Sequence, residues 1–138
     1  VEFHRPGGPS GQGGHCDADL QAERLIRERL CVEFPGWGYR GEETGYNAPA
    51  TRTNPLWLVD PNDGTSAYLR GMRGSAVSIA LLRESVPVLG VVYAFVAPDD
   101  RGDLFAWAQG CGPLTRNGEP VPPPIWRDLP EPTDGVLV

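Results

Sequence analysis

Trp57-Leu58-Val59-Asp60-Pro61-Asn62-Asp63-Gly64-Thr65 reads as a hydrophobic strand running straight into a carboxylate-rich turn. A buried strand holds Asp60 rigidly at its end, Pro61 fixes φ, and Gly64 lets the backbone turn sharply and approach a ligand. Asp60 and Asp63 are spaced so that they can share metal ions, and the acidic pair Glu42-Glu43 lies a short way upstream. By composition alone Asp60-Pro61-Asn62-Asp63-Gly64 also suits an ordinary turn. A calcium loop of the EF-hand type requires glycine at its sixth position, whereas Gly64 stands fifth. Two acidic sites, each flanked by glycine at the end of a core element, direct attention to phosphate chemistry.

Strand signals continue downstream. Ser75-Ala76-Val77-Ser78-Ile79-Ala80-Leu81-Leu82 and Val86-Pro87-Val88-Leu89-Gly90-Val91-Val92-Tyr93-Ala94 are β-rich runs separated by Arg83-Glu84-Ser85, and Leu104-Phe105-Ala106-Trp107-Ala108 is a third. Strands joined by short turns pair antiparallel. Upstream, Ala18, Ala22, Leu25, Ile26 and Leu30 recur at helical spacing, with Asp17 or Asp19 as N-cap and Pro35 beyond the end. Asp19 and Glu23 are like-charged neighbours on that helix, and Glu23 can pair with Arg27, so the pair reads as a solvated face. The expected fold is α+β: a layered sandwich of a mainly antiparallel sheet covered by helices.

The 138 residues bound the chain to one domain. Eighteen acidic against 12 basic residues, a net charge of −6, argue against nucleic acid or an anionic membrane as partner. Cys16, Cys31 and Cys111 form neither a disulfide framework nor a zinc cluster, so a reducing cytoplasm is the expected setting. No apolar run approaches the roughly 20 residues that span a bilayer. Cys111 and the tryptophans Trp37, Trp57, Trp107 and Trp126 read as packing residues, and His4 and His15 receive no role. The absence of an initiator Met and the strand-like end Gly135-Val136-Leu137-Val138 read as truncation at both ends.

Several motifs in one order resemble the N-terminal domain of the inositol monophosphatase family of Mg-dependent, lithium-sensitive phosphatases. They are the helix Ala18-Asp19 through Glu23-Arg24-Leu25-Ile26, Gly41-Glu42-Glu43-Thr44, the Trp57 to Thr65 string, Ala76-Val77-Ser78-Ile79, Gly90-Val91-Val92-Tyr93 and Leu114-Thr115-Arg116-Asn117-Gly118. The Gly- and Pro-rich stretch Pro6 to Gly14 reads as a flexible loop over residues 1–16 and the prolines Pro120 to Pro124 and Pro130 to Pro132 as a linker over 122–138, while the resemblance implies a metal-binding phosphatase domain over 17–121 and a further domain beyond the linker.

It also implies Mg²⁺-dependent hydrolysis of a small phosphomonoester of the inositol phosphate or sugar phosphate type. Glu42, Asp60 and the main-chain carbonyl of Asn62 would bind a first Mg²⁺, and Asp60 and Asp63 a second. A metal-activated water would be oriented by Glu42 and Thr65 as catalytic groups, with phosphate held at Gly64 and Thr65. Glu43 and Asp19 would be supporting. Asn62 stands where the family usually carries an apolar residue, and the family's further aspartate comes from a C-terminal domain. The isolated fragment is therefore expected to be inactive, and the parent to be homodimeric. Ser66-Ala67 follows the turn where the nucleotide-directed branch often has Lys-Glu. The alternative function is a non-catalytic metal-binding pseudoenzyme or regulatory domain.

Overall fold

The computed structural model describes residues 3–4, 15–96, 99 and 101–122. Its elements are β1 (Phe3–His4), β2 (His15–Cys16), α1 (Asp17–Glu33), β3 (Gly38–Gly41), β4 (Tyr46–Asn47), β5 (Leu56–Asp63), α2 (Thr65–Leu69), β6 (Ala76–Arg83), β7 (Val86–Ala94), β8 (Asp103–Ala108), β9 (Thr115–Arg116) and β10 (Glu119–Pro120). The main sheet has eight strands in the order β10-β9-β8-β7-β6-β5-β3-β4, and β1 and β2 form a separate antiparallel pair. Within the stretch 1–16, expected as loop, Phe3–His4 and His15–Cys16 thus carry strand, while residues 1–2 and 5–14 and the expected linker from 123 onward lie outside the described residues.

The expected α+β sandwich is the fold observed. Strands β5 to β10 each pair antiparallel with their sequence neighbours, β5 and β6 being joined through α2. In the β6–β7 hairpin, Glu84 and Ser85 both take positive φ (50° and 66°), so a two-residue turn replaces the three-residue separator of the sequence reading. Asn117 and Gly118 form the equivalent turn between β9 and β10, at φ 51° and 87°. The feature local patterns do not contain is β3, which pairs parallel with β5 from Gly38↔Leu56 to Gly41↔Val59. That parallel register brings the carboxyl ends of the two strands side by side and delivers Glu42 next to the Asp60 turn.

Period-two alternation along β5 buries Trp57 and Val59 on the face that α1 covers. With Tyr39 and Leu81 they form the core, against which Ile26, Leu30, Trp37, Ile79, Val88 and Leu89 pack. Phe34 stacks on Trp37 at 4.6 Å between centroids, and both rings lie against Trp57. The inward stripe of α1 is Asp19, Glu23, Ile26 and Leu30; Leu25, expected on it, is 69% exposed. The solvated face expected for Asp19 and Glu23 is overturned, since they are 3% and 0% exposed. Cys111 and Trp107 are exposed rather than packed, and Trp126 lies outside the described residues.

Candidate active site

Strand β5 runs past Val59 through Pro61 and Asn62 to Asp63, with its pairing to β6 broken between Asp60 (opposite Ser78) and Asp63 (opposite Ala76). This irregularity re-aims the carboxylates of a strand that would otherwise alternate strictly. The Asp60 carboxylate accepts the Asn62 N–H at 3.0 Å and braces the turn from inside. Gly64 then takes φ +92°, and its carbonyl accepts the N–H groups of Ala67 and Tyr68 to close the first turn of α2. A side chain at position 64 would place Cβ 2.3 Å from the Gly74 carbonyl oxygen, so both space and conformation require glycine.

Glu42, Asp60, Asn62, Asp63, Gly64, Thr65 and Ser66 line one cleft of about 210 Å³. The structure therefore brings the expected ligand and phosphate-binding positions together; Glu43 and Asp19 are not among the residues lining the cleft. Glu43 flanks a separate groove with Arg24, Arg27 and Thr44. The Thr65 hydroxyl donates to the Asn62 carbonyl at 2.9 Å. A carbonyl oxygen has two lone pairs, so this bond leaves one for a cation, and the hydroxyl oxygen can still accept from a water.

The donor set is all oxygen: three carboxylates and a main-chain carbonyl, the chemistry that suits a hard divalent cation. Among the described residues no three Asp, Glu, His or Cys side chains converge closely enough to hold an ion by themselves. An ion here fits as one that draws the rest of its shell from the main chain, water and phosphate, which is how Mg²⁺ is usually bound.

Asn62 is buried, with its side-chain Nδ2 donating to Asp19 Oδ1 at 2.9 Å and its Oδ1 without a partner. Its side chain thus faces α1 while its carbonyl serves the turn, which is how a polar residue fits where the resemblance leads one to expect an apolar one. Asp19, expected as a supporting residue, thus reaches the turn through the Asn62 side chain.

Sequence reasoning missed Glu23. Its carboxylate accepts the N–H groups of Glu43 and Thr44, each at 2.7 Å, and the Thr44 hydroxyl. A Cβ at Gly41 would lie 1.9 Å from Glu23 Oε1, so glycine there gives the carboxylate its room. Arg27 does not pair with Glu23 as expected; its guanidinium donates to the Thr44 carbonyl at 2.8 Å and lies 5.3 Å from the Tyr39 ring centroid. Burial, reinforced by the Glu23 charge, pushes the Tyr39 phenol well above its ordinary range. The available signal was the spacing 19, 23, 26 and 30, which puts both acids on the stripe of Ile26 and Leu30.

The sequence pattern that defines the inositol monophosphatase family matches residues 10–125. A histidinol-phosphatase of Mycobacterium tuberculosis is 45% identical over 78 residues, covering 56% of this chain and 29% of that protein. An inositol-1-monophosphatase of Rhizobium meliloti is 43% identical over 76 residues, 55% of this chain and 28% of that protein. The extragenic suppressor protein suhB from Bartonella henselae superposes with a TM-score of 0.73 at 28% identity, covering 86% of this chain and 43% of that one. The chain spans about a third of the length of the curated relatives it matches.

Proposed function

The chain belongs to the inositol monophosphatase family, and from that premise we propose that the whole protein hydrolyses a small phosphomonoester of the inositol or sugar phosphate type, with water as nucleophile and Mg²⁺ as cofactor. The observation that carries the reading is the single cleft shared by Glu42, Asp60, Asn62, Asp63, Gly64 and Thr65.

Glu42, Asp60 and the Asn62 carbonyl would hold one cation, and Asp60 and Asp63 a second. When bound, Mg²⁺ neutralises phosphate charge and makes a coordinated water more acidic. The Thr65 hydroxyl, anchored on the Asn62 carbonyl, accepts a hydrogen bond from the attacking water, and the Glu42 carboxylate takes up its proton. Main-chain N–H groups at Gly64 and Thr65 steady the phosphate without adding charge. The relatives' names include inositol-1-monophosphatase and histidinol-phosphatase, which makes a phosphorylated polyol or a small phosphorylated alcohol the substrate class to try first.

A cytoplasmic setting is supported by the exposed free thiols of Cys31 and Cys111. No helix among the described residues is long and apolar enough to cross a membrane. The acidic balance speaks against nucleic-acid or anionic-membrane partners, and we expect the whole protein to be a homodimer. The deciding experiment is Mg²⁺-dependent phosphate release by the whole protein from a panel of small phosphomonoesters, with Asp60→Asn as control. Release that disappears in the variant is the expected result. A folded whole protein that releases no phosphate overturns the reading in favour of a non-catalytic metal-binding domain.

A further inference from the structure

We infer that Glu23 is a positioning residue for the metal ligand Glu42: from the buried side of α1 it fixes the peptide plane that sets the direction of the Glu42 side chain. The inference rests on the proposed function, which makes Glu42 a ligand.

The geometry is specific to that residue. The direction in which a side chain leaves the backbone is set by the two rigid peptide planes flanking its Cα. On one side of Glu42, its own N–H donates to the Val59 carbonyl at 3.2 Å, which ties the Gly41–Glu42 plane to β5. On the other side, the Glu43 N–H donates to Glu23 Oε2 at 2.7 Å, which ties the Glu42–Glu43 plane to α1. The next N–H, of Thr44, donates to Glu23 Oε1 at 2.7 Å, and the Thr44 hydroxyl donates to the same oxygen. Both planes beside Glu42 are thereby pinned, one to the strand carrying Asp60 and one to the helix. Arg27 completes the hold by donating to the Thr44 carbonyl.

A carboxylate that accepts only main-chain and hydroxyl protons while 0% exposed is an expensive way to fill space. Isosteric packing would be served by leucine or methionine. A charged acceptor instead collects several donors at once, with bonds about twice as strong as neutral ones. Gly41 adds to the case: only a residue without Cβ leaves the carboxylate in place. The same helix face carries Asp19, which ties the Asn62 side chain, so one rigid element braces both segments that supply the cleft.

The test uses the whole protein and Mn²⁺ as probe, with affinity read by calorimetry and fold by circular dichroism. Glu23→Gln keeps the shape but turns an NH₂ group toward an N–H donor, releasing one of the two pinned amides. We expect Mn²⁺ affinity to fall about 10- to 100-fold, the range for partners that orient ligands, with faster hydrogen exchange at the Glu43 amide in the folded protein. A merely structural Glu23 would lower the melting temperature and leave the affinity of the folded protein unchanged; that result overturns the positioning role. Asp60→Asn separates the two levels: if it binds Mn²⁺ as the wild type does, the functional reading fails and takes this inference with it. Should Glu23→Gln not fold, Thr44→Val removes a single donor. Weaker Mn²⁺ binding with faster Glu43 exchange then supports the role, and unchanged binding overturns it.

Discussion

Gly41→Ala should destabilise the protein far more than an alanine at an end of β3 normally would. Gly41 lacks the positive φ that favours glycine, so the substitution carries no conformational strain of its own. What it meets is Glu23: the new Cβ would sit 1.9 Å from Oε1 and 2.3 Å from Cδ. The carboxylate is the end of a flexible side chain and can move, but moving breaks its bonds to Glu43 and Thr44 and leaves charge buried without partners. Breaking a buried charge network by removing its partners costs about 3 to 5 kcal/mol. With a urea dependence of about 2 kcal/mol per M, a loss of about 4 kcal/mol lowers the denaturation midpoint by about 2 M. Gly45→Ala is the comparison, since φ is +80° there and nothing lies within 4 Å of the added Cβ. Its cost is the left-handed conformation alone, about 1 to 2 kcal/mol. The assay is urea denaturation of both variants beside wild type. If Gly41→Ala unfolds no earlier than Gly45→Ala, the Glu23 hydrogen bonds contribute nothing net, and the reasoning is refuted.

Asn62→Leu removes a donor to Asp19 and, with it, a buried acceptor that has no partner. The first loss is worth about 1.5 to 3 kcal/mol and the second gain about 1 to 3 kcal/mol, so the urea midpoint should move little; a collapse of stability would show that Asn62 Oδ1 is satisfied after all. Asp103 provides the pH dependence. The hydrogen bond from the Arg116 guanidinium, and then that from the Asn117 amide, hold its carboxyl below the usual range. A lowered folded-state pKa gives stability that is present above the unfolded value, about 3.9, and lost as pH falls through the folded value. Stability should therefore decline on acidification below about pH 4, and Arg116→Ala should flatten that decline. Parallel curves for the two proteins would disprove the pairing.

The fold was legible where neighbours in sequence are neighbours in space. The runs within β5 to β8 carry β-branched and aromatic residues at strand spacing, and short turns joined β6 to β7 as read. The sequence did not disclose β3, because Gly38-Tyr39-Arg40-Gly41 has two glycines and no apolar run. Its strand character comes from pairing with β5 and β4, which no local pattern contains. The site followed the same division. Asp60, Asp63, Gly64 and Thr65 sit on one contiguous turn, and Glu42 is marked by its glycine neighbours. Glu23 was misassigned because helix charge rules assume solvent around the side chain. Its actual partners are main-chain donors 20 and 21 residues away.

That misassignment follows from how the cleft is built. Glu42 and Asp60 come from adjacent strands that run parallel, and parallel strands cannot share a hairpin whose turn would fix their ends. The bonds between these two strands fix the register only up to the tie between the Glu42 N–H and Val59 carbonyl; beyond it the β3 chain leaves the sheet and its main-chain donors need new acceptors, while β5 runs on to Asp63 against β6. A helix lying across both strand ends supplies acceptors from its inward face, Glu23 for the main-chain N–H groups of Glu43 and Thr44 and Asp19 for the side-chain amide of Asn62, so two positions of that face are acidic instead of apolar. The sequence cost is visible in the same stripe. Ile26 and Leu30 bury against the core, while one and two turns earlier Glu23 and Asp19 occupy positions that packing alone would give to leucine. The seating of α1 on Tyr39 and Trp57 thereby becomes part of the cleft's geometry, and a core substitution that shifts the helix should be felt at Glu42 before it is felt at Asp63, whose strand is held by β6.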